Sequence, residues 1–166
     1  MSIQALIDVL YKLNDAHVVL LELGERKKQA IIQNKVDILN QIVNKENKYL
    51  VLVTELEQMR LQETGSYLIA RGYHPNPQIT VSQLVKLIFK AEDKMSLQDA
   101  QENLSKTLLK LRELNTLNKQ LIEDSLNYID FSLDLFLGRF DDEPIYSKPT
   151  EAQQSITKLN IFDARA

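Results

Sequence analysis

The sequence predicts an all-α protein: an antiparallel helical bundle of three main helices plus one short helix, with a long last helix and a flexible C-terminal tail. Three observations lead there. Only 4 glycines and 4 prolines punctuate the 166 residues, too few for the turns a sheet protein needs. Apolar residues recur at spacings of three and four rather than in alternation. From Leu97 to Leu137 neither glycine nor proline interrupts that rhythm. Hydrophobic residues at 44% and charged residues at 26% are ordinary for one globular domain of this length. Residues 1–140 are expected to form the bundle and 141–166 the mobile tail.

The first helix is expected over residues 3 to about 33. Its seam is Ile3, Leu6, Leu10, Leu13, His17, Leu20 and Gly24. A break follows at Asn34 to Asp37, with Asp37 as a reasonable N-cap. The second helix then runs to about Gln62 or Thr64 along Leu39, Ile42 or Val43, Glu46, Leu50, Val53, Leu56 and Arg60. Two charged residues in that seam imply a half-covered helix or paired charges.

Residues 65–79, "GSYLIARGYHPNPQI", read as the clearest loop, although Tyr67, Leu68 and Ile69 could extend the helix before it. Thr80-Val81-Ser82-Gln83 is a capping-box signature opening a short helix with Val81, Leu84, Val85 and Ile88 on one face. Ser96-Leu97-Gln98-Asp99 resembles a second such start. The long helix that follows has the seam Leu104, Leu108, Leu111, Asn115, Asn118, Ile122, Ser125, Ile129, Ser132 and Phe136, and Gly138 suits its end. At about 1.5 Å per residue it would be roughly 60 Å long. A chain of this size cannot bury all of that, so part of the helix should project or await a partner.

Several function classes are disfavoured. The net charge is −3, and no basic face appears beyond Arg26-Lys27-Lys28, which argues against nucleic acid. The absence of cysteine removes disulfides and thiolate metal sites. The start lacks a cationic leader and no apolar run approaches a membrane span, so a cytoplasmic protein without membrane insertion is expected. His17 reads as a packed side chain and His74 as an exposed loop residue; no phosphate loop, nucleophile elbow or HExxH motif is present. Neither an enzyme nor a cofactor is expected. What remains is surplus amphipathic surface. It fits a face that receives another protein's helix, or a coiled-coil adaptor or structural subunit that self-assembles.

The pair Asn115 and Asn118 has two readings of its own. A seam amide fixes register when it is hydrogen-bonded inside the bundle, for instance to Glu46 or Arg60. Alternatively it meets a partner's polar groups. Periodicity favours neither.

"LRELNTLNKQLIEDSL", Leu111 to Leu126, resembles the signature of the FlgN flagellar export chaperones, and Asp37, Leu39, Ile42, Lys45-Glu46, Leu50, Leu56-Glu57 and Arg60 resemble that family's second helix. The resemblance covers roughly residues 3–146. It implies a cytosolic chaperone that binds the terminal helical segments of the hook–filament junction proteins FlgK and FlgL, prevents their premature assembly and delivers them to the flagellar type III export gate. The implied client-binding residues are Asn115, Asn118, Leu121, Ile122, Ser125, Leu126, Ile129, Leu133 and Phe136. In "EPIYSKP", Tyr146 stands where the family presents a tyrosine to the export-gate protein FlhA. The glycines that often follow that tyrosine are missing, and the terminal "SITKLNIFDARA" has no counterpart.

Overall fold

The computed structural model describes residues 3–138, and among them the chain forms four helices and no strand: α1 (Ile3–Ile32), α2 (Val36–Ala70), α3 (Val81–Lys86) and α4 (Ala91–Phe136). The chain divides into two units, Met1–Tyr128 and Ile129–Ala166.

In the first unit, α1 is the central helix. Every residue of its expected seam is buried, and Ile7, Val9, Ala16 and Leu23 widen the stripe. The helix closes in a Schellman turn: Asn34 takes φ 53°, and the Asn34 and Lys35 amides donate to the carbonyls of Ile31 and Ala30. The chain re-enters a helix at once, which corrects the expected cap. Lys35 occupies the N-cap position with no side-chain bond, and Asp37 lies inside the first turn, where its charge suits the helix N-terminus.

α2 returns antiparallel to α1 and continues to Ala70, past the end expected near Gln62 or Thr64. Gly65 costs that helix about 1 kcal/mol relative to alanine. Burial of Tyr67 and Leu68, both 2% exposed, outweighs it. A second left-handed cap, Gly72 at φ 79°, ends α2, with the Tyr73 amide donating to Leu68 O. The loop is therefore shorter than the sequence suggested. Arg71 lies 4.6 Å over the Tyr67 ring and 5.8 Å from that of Phe89, and its Nη1 donates to Leu87 O at 3.2 Å, which ties the end of α2 to α3.

The capping box at α3 is present in both directions: Gln83 N donates to Thr80 Oγ1 and Thr80 N to Gln83 Oε1. The expected start at Ser96 is overturned, since α4 begins at Ala91. Glu92 and Asp93 occupy its first turn, and the Lys94 amide already donates to Lys90 O. A helical backbone through Ser96 turns Leu97 and Ala100 fully into the core, at 0% and 1% exposed. α4 runs parallel to α1, as its contacts at Thr107–Asn14 and Asn118–Gly24 show, and so opposite to α2.

The core is uneven along the bundle. Its main cluster joins the first half of α1 to Leu56, Tyr67 and Leu68 of α2, Leu84 and Val85 of α3, and Leu97 and Ala100 of α4. Towards the α1–α2 turn a smaller cluster holds Leu23, Ala30 and Ile42. In the second unit, α4 continues from Ile129 to Phe136 and is capped by Gly138 at φ 67°. Residues 141–166, expected as a tail, lie outside the described residues, and Tyr146 with them.

Candidate protein-binding groove

Above the main core the three long helices of the first unit enclose a groove of about 450 Å³. Leu20 and Lys27 come from α1, Glu46 and Leu50 from α2, and Leu111, Asn115, Asn118, Lys119, Ile122 and Glu123 from α4. The α4 set follows i, i+4, i+7, i+8, i+11, i+12, so one face of that helix forms a wall along the groove. Leu20 is 6% exposed and forms the floor; Leu50 and Ile122, at 51% and 37%, form the rims.

The two asparagines take different places. Asn118 is buried, and its Nδ2 donates 2.9 Å to the carbonyl of Gly24 on α1. Glycine permits this approach, because a Cβ there would stand 2.8 Å from Leu114 Cδ2. Asn118 thus fixes the register of α4 on α1. The suggested pairing with Glu46 or Arg60 is not what forms: Glu46 is engaged by Lys27 across the α1–α2 interface at 2.6 Å, and Arg60 by Glu57 one turn away at 2.8 Å. The second oxygen-bearing end of the amide, Asn118 Oδ1, is buried with no hydrogen-bond partner. Asn115 is exposed on the groove wall.

The other expected client residues of the first unit, Leu121, Ser125 and Leu126, are not among those that line the groove. Leu121 and Ser125 are half-buried, with Ser125 Oγ donating back to Leu121 O at 2.7 Å, and Leu126 is 55% exposed. In the second unit Ile129, Leu133 and Phe136 are 49%, 51% and 90% exposed. Leu108, Leu109 and Leu117 add bare apolar surface to α4, which the sequence pattern did not distinguish from covered surface.

Titratable chemistry is sparse. His17 is buried with Nδ1 2.7 Å from Leu13 O, and His74 is exposed in the loop. Among the described residues no group of three or more His, Asp or Glu is arranged to hold a metal, and no helix is long and apolar enough to cross a membrane. Burial holds the Tyr67 phenol above its ordinary value, but it lies in the main core away from the groove.

Comparison with known proteins agrees with this picture. The family model described as FlgN protein matches residues 1–154. Over 167 residues, spanning the whole of both chains, the sequence is 33% identical to a Bacillus subtilis (strain 168) protein described as uncharacterized protein YvyG. No solved structure matches.

Proposed function

The chain belongs to the FlgN family of flagellar export chaperones, and from that premise we propose that it serves the hook–filament junction proteins FlgK and FlgL in the cytoplasm, without catalysis. It covers their terminal helical segments, blocks premature assembly and carries them to the gate protein FlhA. The observation that supports this most is unspent apolar surface. Leu50 and Ile122 stay exposed on the rims of an open groove whose walls are helices, and Leu126 is exposed one turn beyond Ile122 on the same face of α4. Such surface beyond a few scattered residues marks a docking site. An amphipathic client helix laid against it replaces contacts that its segment makes after export.

Within the first unit the client face is Leu121, Ile122, Ser125 and Leu126, with Asn115 and Asn118 in the groove. Ser125 spends its hydroxyl on its own helix and so allows close approach without demanding a partner. Within the second unit the face is Ile129, Leu133 and Phe136. Tyr146, outside the described residues, is assigned to the gate by its Glu-Pro context: Tyr146→Ala should weaken FlhA binding and leave client affinity unchanged.

Calorimetric titration with the C-terminal helical segment of FlgK tests the proposal. A 1:1 complex is expected, and Ile122→Asp with Leu126→Asp should abolish it while far-UV helicity stays at the wild-type level. The same holds for Ile129→Asp with Phe136→Asp. Concentration-dependent self-association without any complex would overturn it in favour of a self-assembling coiled-coil adaptor.

A further inference from the structure

We propose that the α2–α3 end of the bundle is a second protein-docking surface, centred on Arg71 and Phe89, for a partner segment that presents a carboxylate beside an apolar side chain. It lies apart from the groove. Along α2 and along α4 alike, about twenty residues separate this end from the nearest groove lining, roughly 30 Å of helix. Both surfaces can therefore be occupied at once.

Arg71 is already positioned for such a partner. Its guanidinium lies 4.6 Å over the buried Tyr67 ring, and Nη1 donates to Leu87 O at 3.2 Å. The remaining N–H groups of the fork have no partner among the described residues. Nor does any carboxylate of those residues pair with it. Asp93, which like Arg71 acts on the Tyr67 phenol, faces Lys90 at 3.9 Å instead. A planar fork held in advance matches a carboxylate, and less freedom is lost when that carboxylate arrives.

Phe89 supplies the apolar half. Its ring centroid is 5.8 Å from the Arg71 guanidinium, yet the side chain is 90% exposed. A ring so little covered adds almost nothing to the core. Ile69 and Tyr73, two residues to either side of Arg71, are exposed as well. Single bare hydrophobes need no explanation, but an oriented arginine beside a bare ring has the composition of an interface centre. Charge decides the class of occupant. One guanidinium without an acid of its own suits one carboxylate, with a neighbouring Phe, Leu or Ile to cover Phe89. An anionic membrane is the poorer match, because Glu92 and Asp93 follow in the first turn of α4 and would be brought against it.

A display library of random peptides, selected on the immobilised full chain, tests this, with enriched peptides measured by calorimetry. They should carry Asp or Glu next to Phe, Leu or Ile. Phe89→Ala should keep the wild-type helicity and urea midpoint, since that side chain buries so little, and should bind these peptides about tenfold more weakly. Arg71→Lys, which keeps the charge but not the fork, should weaken them by a similar factor. Replacing the peptide's acid by its amide should then cost that variant little more. Should Arg71→Lys loosen α3, Phe89→Ala still decides. The FlgK C-terminal segment should bind both variants as it binds wild type and leave the peptides in place. Enrichment of no acidic-apolar peptide overturns the proposal, as do peptides that bind Phe89→Ala undiminished or that the FlgK segment displaces. Phe89-dependent sedimentation with phosphatidylglycerol vesicles, or Phe89-dependent dimerisation, without any such peptide would overturn it in favour of a membrane or a second copy.

Discussion

Replacing Gly24 by alanine tests how closely α4 lies on α1. The added methyl would stand 2.8 Å from Leu114 Cδ2, 3.4 Å from its Cγ and 4.0 Å from Asn118 Nδ2. Alone, alanine in mid-helix is worth about 1 kcal/mol over glycine. Against that gain, buried Leu114 must leave its place or push the helices apart, and overpacking costs about 1–3 kcal/mol. Separation also stretches the Asn118–Gly24 bond, worth about 1 kcal/mol net. The expected balance is a destabilisation of about 1–3 kcal/mol. Urea unfolding followed by far-UV circular dichroism measures it in wild type, Gly24→Ala, Leu114→Ala and the double variant. With Leu114 truncated the obstacle is gone, and Gly24→Ala should then stabilise by about 1 kcal/mol. A stabilisation of that size in the wild-type background would refute the close approach.

Three further outcomes are expected from the same unfolding assay. Lys27→Ala leaves the Glu46 carboxylate, 13% exposed, without its cation, and should cost about 1–2 kcal/mol, more than loss of the exposed Lys106–Glu102 pair. Thr80→Ala removes the side-chain acceptor for Gln83 N, leaving only its bond to Thr80 O, and should cost about 1 kcal/mol, with hydrogen exchange accelerated first in α3. Tyr67→Phe deletes a buried hydroxyl with no partner and should be neutral or stabilising at neutral pH. Because burial raises the folded-state pKa of Tyr67, its contribution is intact below the ordinary value of 10.0 and is lost as pH rises above it. The phenylalanine variant should therefore lose less stability than wild type in that alkaline range.

Where one helix face meets one core, the sequence was a reliable guide. The α1 seam is buried throughout, the Thr80–Gln83 box closes as its residues imply, and Gly138 caps α4. Failures arose where a local signal competed with burial. Gly65 looked like a stop until Tyr67 and Leu68 found the core, and Ser96 looked like a start although Leu97 needed a helix already under way. Asn118 was noticed as an anomaly, but its partner could not be named, since a backbone carbonyl beside a glycine leaves no periodic trace. Leu104 and Leu108 share one spacing, yet the first is half-buried and the second exposed. That difference depends on where α1 and α2 lie, as does the groove, which three helices make together.

The unequal core has a kinetic consequence. Amides in the layer of Leu6, Leu68 and Leu97 should exchange only through global unfolding, whereas those beside Leu23 and Ile42 should exchange through local breathing at lower free energy. An occupant of the groove would slow exchange at the breathing end and leave the well-packed end as it was. Ordering costs on loading are then confined to a few turns, and repeated loading and release need not pass through the unfolded chain.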